Sequence, residues 1–488
     1  MLPAASGSNS IGHIASPVAQ RECPVVVRDE VPLTPGAVLM SQQGFLLRVL
    51  GPEYASSDHE PDRLAEKMRM GLRIERAVPQ RSGASFAWRC EILGRSENGR
   101  LRTDGAPAPG EPVSWADPGR LPGLDAGHPI GRLWLGGGTV RLSGSALSLP
   151  AGIFGDPGSG KTFLAQTIGE LYLRSGVPVF AFDMSPDEEY LEWGRRLHEV
   201  QPEIPLTEVE VGPQRRIPIH RLRPEELLEA AGILTRDQED LLGAAVAELA
   251  REGRPWTRRD LEQRIRRIAE AQNRQTVADN LIRKLSYRLE RLLDFLGDAE
   301  SVLDPSVGGL HVFRLAHRPY RELIAAVICT LIEEMALGGR LRGGVVLIDE
   351  AHLVAPADRD IPSRYRIRYF VRLARHLNIV PWLISQSPRS VDRQVFDLLR
   401  FVYIFALSGE NLAAVRDRLA GLHPRLAEQI PSLPTGVCLL TGPRDLLPFP
   451  IFMRAEGRRT EHPTPTRDIF RIFEGGEDRG VEAAEHRS

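Results

Sequence analysis

Cysteine is scarce in this chain of 488 residues, and its four cysteines, Cys23, Cys90, Cys329 and Cys438, stand far apart. None of them has Cys-x-x-Cys spacing, so the sequence predicts neither a zinc site nor a disulfide framework and favours a reducing compartment. Apolar runs of membrane-spanning length, about 18 uncharged residues, are lacking. The N-terminal region has no signal-peptide pattern. We therefore expect a cytoplasmic protein without a membrane partner.

An excess of either charge is also lacking. The chain has 62 Lys and Arg against 64 Asp and Glu, which gives a formal net charge of −2. No overall basic field would attract nucleic acid, so any such contact must come from a local basic surface. With 42% hydrophobic and 26% charged residues, the composition is typical of a globular protein, and the length allows two or three domains.

A glycine-rich segment lies between an apolar run and a helical pattern. It fits G-x-x-x-x-G-K-[ST], the P-loop, between a predicted strand at 146–154 and a predicted helix that ends before Gly176. This arrangement points backbone N–H groups and a helix N-terminus at a polyphosphate. Lys161 would reach the β- and γ-phosphates, and the Thr162 hydroxyl would ligate Mg²⁺. The predicted nucleotide-binding residues are Gly155, Asp156, Pro157, Gly158, Ser159, Gly160, Lys161, Thr162 and Phe163.

A second segment strengthens the prediction of a nucleotide site. The apolar run 343–348 ends in Asp349 and Glu350, which is the Walker B pattern. Asp349 is the expected second protein ligand of Mg²⁺, and Glu350 would polarise the attacking water. The two motifs together predict binding of ATP or GTP with Mg²⁺, followed by hydrolysis. Beyond this site, we find no carboxylate cluster of the kind a nuclease needs.

The remaining sequence predicts the domain organisation. Residues 1–24 are rich in Ser, Ala and Gly and indicate a flexible arm. Short apolar runs between Gly and Pro turns at 25–149 predict a small antiparallel β-barrel or sandwich, interrupted by a helix near 62–70. The ATPase core is expected at 150–455, with a helical insertion at about 222–300 and a polar tail at 456–488.

Strand and helix patterns alternate through the core, which is typical of a parallel α/β sheet. Apolar strands are predicted at 177–182, around Val209 and Ile217, and at 309–315, 343–348, 377–385, 401–407, 436–440 and 449–453.

Three segments carry a family resemblance. They are 130–138, Phe182-Asp183 through Glu189-Tyr190, and the run from Ala374 to Asp392, which contains Ser385-Gln386. Through them, and over nearly its whole length, the chain resembles the HerA-type hexameric ATPases of the HerA–FtsK branch of RecA-like motors. The fold class implied is α/β, a RecA-like P-loop core with a mainly parallel sheet. It includes an N-terminal barrel like the family's HAS barrel and an inserted helical subdomain.

The resemblance also implies roles for individual residues. Gln386 resembles the polar sensor that reports the γ-phosphate, and Arg375 resembles an arginine finger inserted into the site of a neighbouring subunit. With Glu350 and Lys161, these residues form the expected catalytic set. An arginine finger contributes roughly 10³–10⁵-fold in rate, so hydrolysis would require the assembled ring.

An arginine stripe is visible without the resemblance. Arg364, Arg368, Arg372 and Arg375 recur at helical spacing on one face. Because like charges in such a stripe repel, phosphates or a partner's carboxylates are expected to offset them. A solvated stripe is the alternative.

The resemblance implies a homo-hexamer that moves on, or unwinds, duplex DNA. A NurA-like nuclease or another effector enzyme would act with it in DNA end processing or phage defence. Two alternatives stay open: an ATP-sensing scaffold that regulates a defence effector, and a protein-remodelling or secretion ATPase.

Overall fold

The part of the chain that the computed structural model describes contains two β-sheets. The described residues are 10–15, 18–19, 21–27, 31, 33–53, 86–134, 136–209, 219–222, 224–232, 234–293, 308–316 and 321–457. The predicted helix near 62–70 and the predicted strand around Ile217 lie outside these ranges, as does most of the predicted tail.

The smaller sheet is an antiparallel barrel. Its strands are β1 Gly12–Ile14, β2 Glu22–Val27, β3 Val38–Ser41, β4 Phe45–Glu53, β5 Phe86–Glu97, β6 Arg100–Arg102 and β7 Pro112–Trp115. The order is β2-β1-β7-β3-β4-β5-β6, and pairing of β2 with β5 closes six strands into a barrel, which β6 extends at one edge. Alternate side chains, such as Val25, Val27, Leu47 and Val49, fill the interior. The predicted N-terminal barrel is confirmed.

The barrel begins earlier in the chain than the sequence indicated. β1 and the start of β2 lie within residues 1–24, the predicted flexible arm. β1 has only three residues, which is too short for an alternating pattern to be recognised.

The larger sheet is mixed and contains the P-loop strand. Its strands are β8 His128–Leu133, β9 Thr139–Leu142, β10 Ala151–Phe154, β11 Val179–Asp183, β12 Leu206–Val209, β13 Leu310–Arg314, β14 Gly344–Ile348, β15 Ile379–Ser385, β16 Phe401–Ile404, β17 Val437–Thr441 and β18 Ile451–Ala455. The order is β12-β13-β11-β14-β15-β10-β16-β17-β18-β8-β9. The seven strands from β12 to β16 in this order are parallel, and the last four are antiparallel.

Two predictions near the start of the core differ from the structure. The sequence placed 128–149 in the barrel, but β8 hydrogen-bonds to β18 of the larger sheet. An apolar pattern identifies a strand without identifying its partner. The predicted strand at 146–154 is shorter, because a helical turn, α1 Gly144–Leu147, precedes β10 and the Ser143 hydroxyl caps it.

Helices cover both faces of the larger sheet. They are α2 Lys161–Arg174, α3 Glu189–Val200, α4 Pro224–Ala231, α5 Arg236–Arg251, α6 Arg258–Ala271, α7 Gln275–Leu293, α8 Arg321–Leu337, α9 Ala351–Val354, α10 Pro362–Ala374, α11 Arg393–Leu398, α12 Gly409–Ala414 and α13 Pro424–Ala427. Successive strand residues enter opposite apolar layers: Phe180 and Phe182 pack in one layer, and Ala181 in the other. The parallel strands are therefore buried on both faces, which explains their continuous apolar runs.

Helices α4 to α7 form the inserted helical region. Thr235 with Gln238, and Thr257 with Asp260, form capping boxes that begin α5 and α6. In each box the threonine side chain accepts from the backbone amide of the third helical residue, and the side chain of that residue accepts from the threonine amide.

Among the described residues, no helix combines the length and apolar character that crossing a membrane requires. All four cysteines are buried free thiols.

Arg48 joins the barrel to the core. Its side chain is fully buried and donates to Glu91 Oε2 in the barrel, at 3.0 Å from Nε and 2.6 Å from Nη2. The same guanidinium donates to two core carbonyls, Pro450 O at 3.1 Å and Gly421 O at 2.9 Å. One cation therefore satisfies acceptors from both domains, and removing it would leave those acceptors without their donor.

We expect Arg48→Ala to lower the free energy of unfolding by about 2–4 kcal/mol, because it leaves a partly buried carboxylate and two carbonyls without their donor. Urea denaturation of the full chain measures this. Arg95→Ala is the matched control in the next barrel strand. Arg95 is exposed and donates to Gln43 O, so its loss should cost less than about 1 kcal/mol. Equal effects of the two substitutions would contradict the joining role of Arg48.

Candidate nucleotide-binding site

The predicted site residues lie at one edge of the parallel sheet. Strands β11, β14, β15 and β10 are neighbours in that order, and their carboxyl ends lead into Asp183, Asp349, Gln386 and the P-loop. Ligands of α/β proteins bind outside the carboxyl ends of such strands. Segments separated by up to about 230 residues of sequence therefore meet here because the strands are parallel and adjacent.

The P-loop, residues 155–162, is held by the chain that follows β16. The Asp156 amide donates to Ala406 O at 2.7 Å, and Ser408 Oγ donates to Asp156 Oδ2 at 3.2 Å. From the other side, the Gly436 amide donates to Ser159 O at 2.9 Å. None of these three partners was predicted, since nothing in their local sequence marks them as part of a nucleotide site.

Gly160 is required where the loop passes Gly436. Its φ is +111°, and a Cβ added there would lie 3.1 Å from both the backbone N and the Cα of Gly436. Gly158 also has a positive φ, +73°, but an added Cβ would meet no atom within 4 Å. The two glycines thus differ in the space around them, although both adopt backbone conformations that L-residues rarely occupy.

Lys161 begins α2 and points back over the loop. Its Nζ donates to Asp156 O at 3.0 Å. Burial lowers the pKa of Lys161, while the charges of Glu350 and Asp349 act in the opposite direction. The ammonium therefore lies beside the Walker B acids, where it can contact an anion held between them and the loop.

Asp349 and Glu350 are presented by a tight turn. Asp349 is only 6% exposed, and burial, followed by the charge of Glu350, raises its pKa well above the ordinary value. Glu350 adopts φ +43°, and its amide donates to Asp349 Oδ1 at 2.9 Å. A left-handed conformation at a non-glycine residue is strained, and such strain is frequent at functional sites.

Glu350 is linked to the next strand through His352. Nδ1 of His352 lies 3.2 Å from Glu350 Oε2 and 3.1 Å from Ser385 Oγ. The Glu350 oxygen has no hydrogen bond of good geometry within the described residues, although it is buried. A buried carboxylate oxygen without a hydrogen bond is costly unless a cation or water binds it.

The residues present fit a hard divalent cation. Asp349 offers a buried carboxylate, and Thr162 lies in the first turn of α2 beside the P-loop. Within the described ranges no group of three His, Cys, Asp or Glu residues could hold a metal without further ligands. One buried carboxylate and one hydroxyl suit Mg²⁺, which usually takes one or two protein ligands and completes its shell with phosphate oxygens and water.

Asp183 belongs to the same edge, although the predicted site residues did not include it. Its carboxylate accepts from the amides of Ser185 at 3.1 Å, Tyr190 at 3.1 Å and Leu191 at 3.2 Å. Burial raises the pKa of Asp183 to about 6, against these hydrogen bonds. Asp183 therefore fixes the start of α3. The Phe182-Asp183 to Glu189-Tyr190 resemblance already pointed to this segment.

Tyr190, the second residue of α3, is completely buried. Its hydroxyl finds no hydrogen-bond partner among the described residues. Burial raises its pKa well above the ordinary value, and the nearby charges of Asp349 and Asp183 add to this. Because its amide donates to Asp183, Tyr190 belongs to the acidic edge of the sheet.

Gln386 follows β15 directly and is partly exposed at this edge. Its backbone oxygen accepts from Asn411 Nδ2 at 3.4 Å. Gln386 thus lies at the end of the strand between β14 and β10, and its sensor role stays a prediction.

The arginine stripe on α10 divides into two pairs. Arg364 and Arg368 both donate to Asp392, whose side chain is fully buried, with Arg368 Nη2 at 2.7 Å. The carboxylate that offsets these charges is thus in the same chain. Arg372 and Arg375 are exposed.

Arg375 lies at the other end of β15 from Gln386. It follows α10, and the seven residues of β15 separate it from the nucleotide edge. At about 3.3 Å per residue this is more than about 20 Å, which is too far for an arginine to reach its own P-loop. The assignment of Arg375 as a finger therefore requires a neighbouring subunit and stays a prediction.

Residues 129–332 match the family model of the helicase HerA central domain. Over these residues the chain is similar to the HerA central domain. The resemblance seen in the motifs is confirmed by this match. The HerA-type segment begins in β8, includes the P-loop and the inserted helices, and ends in α8, before Asp349.

The fold is shared with solved structures. VirB4 of Thermoanaerobacter pseudethanolicus matches with a TM-score of 0.54 and 18% identity, covering 68% of this chain and 97% of that chain. At this identity the match shows the fold alone, and it confirms the α/β P-loop core. Plasmid coupling protein TrwB in complex with ADP and Mg²⁺ matches with a TM-score of 0.47 and 16% identity over 67% of this chain and 90% of that chain. No curated protein matches the chain significantly.

We expect Gly160→Ala to weaken nucleotide binding by at least about tenfold, because the new Cβ strains the backbone and presses on Gly436. Gly158→Ala is the matched control with the same type of backbone strain and open space, and it should lose less affinity. Titration with a fluorescent ATP analogue measures both. A larger loss for Gly158→Ala would show that the contact with Gly436 does not shape the loop.

Proposed function

We propose that the protein is a ring-forming ATPase that couples ATP hydrolysis to translocation on duplex DNA. The observation that carries this proposal is the convergence of the P-loop, Asp349-Glu350 and Gln386 on three adjacent parallel strands. The HerA-type central domain supports a DNA-directed motor over an unrelated P-loop enzyme.

The roles of the residues follow from their positions. The P-loop amides and Lys161 bind the β- and γ-phosphates of ATP. Glu350, with its buried oxygen free of hydrogen bonds, orients the attacking water and accepts its proton. Gln386, at the end of the strand between β14 and β10, contacts the γ-phosphate. Mg²⁺, held by Asp349 and the Thr162 hydroxyl, would neutralise charge on the phosphate oxygens.

We infer that hydrolysis depends on assembly into a homo-hexamer. Within one subunit, the exposed Arg375 lies at the edge of the sheet opposite the P-loop. An arginine placed there can complete only a neighbour's site. The ring would enclose duplex DNA and act with a nuclease or another effector enzyme in DNA end processing or phage defence.

Duplex DNA should stimulate ATP hydrolysis by the full chain severalfold at low salt, and the stimulation should fall as salt rises, because backbone contacts release counterions. A phosphate-release assay with and without a long duplex measures this. Lys161→Ala, which should not turn over ATP, gives the background rate of phosphate release. An ATPase that duplex DNA leaves unchanged at low salt would contradict the motor proposal and favour the scaffold alternative.

Arg375→Ala should lower the rate of ATP hydrolysis at least about 10³-fold. ATP affinity should stay within about twofold, because an arginine finger stabilises the transition state and not the ground state. Mixing it with Glu350→Gln should restore partial activity at hybrid interfaces. Arg342→Ala is the control, since Arg342 is also exposed at this edge of the sheet. Full turnover by Arg375→Ala would transfer the role to another arginine, with Arg372 or Arg389 next to be tested.

A further inference from the structure

Helix α10 presents an exposed face of unusual composition. Tyr365 and Tyr369 are each 48% exposed, and Arg372 is exposed on the following turn. The spacing of four and three residues places all three side chains on one side of the helix. We refer to Tyr365, Tyr369 and Arg372 as the outer face of α10.

The outer face carries net positive charge. Asp360 accepts from the Tyr365 hydroxyl at 2.5 Å, and its charge is offset by Arg364, whose Nη1 lies 3.7 Å from Asp360 Oδ1. Asp392 is fully buried beneath Arg364 and Arg368. Arg372 forms no ion pair with any residue in the described part of the chain. Two guanidinium groups stack on the tyrosine rings, since Arg368 lies 5.1 Å from the Tyr365 centroid and Arg366 5.7 Å from that of Tyr369. These contacts hold the phenols in place.

Hydrogen bonds connect α10 to both sides of the nucleotide site. The segment between Glu350 and α10 is joined to the segment after Gln386, because Ala357 N donates to Ser390 O and Asp392 N donates to Ala355 O, each at 2.8 Å. Asp392 then holds α10 through Arg364 and Arg368. A shift of Glu350 or Gln386 between nucleotide states would therefore move α10 with them.

We propose that the outer face of α10 contacts the phosphate backbone of duplex DNA and transmits the nucleotide state to it. Arginine and tyrosine side chains are both common donors to phosphate oxygens. Tyr369 and Arg372 supply the free donors, since Tyr365 is already bonded to Asp360. Uncompensated positive charge on an otherwise near-neutral chain favours a polyanion over a second copy of the same surface, which would repel it. This inference rests on the proposed function.

The test is DNA binding by the variant Tyr369→Ala/Arg372→Ala, prepared as the full chain. Fluorescence anisotropy with a labelled duplex, repeated across salt concentrations, gives the affinity and its salt dependence. We expect affinity to fall at least about tenfold and the slope of log K against log salt to lose about 1 unit for the phosphate contact of Arg372. Arg372→Lys should keep the slope. The oligomeric state should be unchanged, and stimulation by DNA should be lost.

The matched control is Tyr287→Ala/Arg259→Ala, which removes an exposed tyrosine and an exposed arginine from the inserted helices. It should leave DNA affinity and slope unchanged. If Tyr369→Ala/Arg372→Ala keeps both affinity and slope while wild type is stimulated by DNA, this inference fails and the proposed motor stands. If that variant disrupts the oligomer and DNA-free hydrolysis, the outer face is a subunit contact and the inference is overturned. If wild type binds no duplex at all, the proposed function itself fails.

Discussion

The buried acidic edge of the parallel sheet is the constraint on which the site depends. Asp183 and Asp349 end neighbouring strands, and burial raises the pKa of each. Glu350 adds a third carboxylate, and Lys161 places an ammonium beside them. Three buried or half-buried carboxylates against one ammonium are unfavourable without a further cation. Binding of Mg²⁺ with a polyphosphate would relieve that cost, so the electrostatics of this edge make ligand binding and local stability interdependent.

The P-loop is bordered by segments that lead to the rest of the molecule. Ala406, Ser408 and Gly436 contact the loop, and between them the chain reaches Gly421, whose carbonyl accepts from Arg48 of the barrel. On the other side, Asp392 joins the segment after Gln386 to α10. The nucleotide site is thus in continuous hydrogen-bonded contact with both the barrel and α10. Such continuity is what a coupling between ATP state and distant surfaces requires.

Local motifs were the most predictable part of the site. The P-loop and the Asp349-Glu350 strand end could be recognised because each motif consists of consecutive residues in a fixed pattern. The loop's partners at Ser408 and Gly436 could not be predicted, because they contribute backbone atoms or a common hydroxyl. Arg364 and Arg368 were recognised as a charged stripe, but their partner Asp392 lies on a different element. The location of β8 and β9 in the larger sheet was missed for a similar reason, since strand patterns carry no information about pairing.

The sequence by itself determined the α/β core, the barrel, the inserted helices and the candidate residues for phosphate and metal binding. These properties follow from periodicity and from contiguous motifs, both of which are local. Only the tertiary structure decided that Asp183 and Tyr190 belong to the acidic edge, that Arg48 joins the two domains, and that Arg375 lies at the far end of β15. Each of these depends on which strands are neighbours, and strand order is set by packing across the whole sheet and not by any one segment.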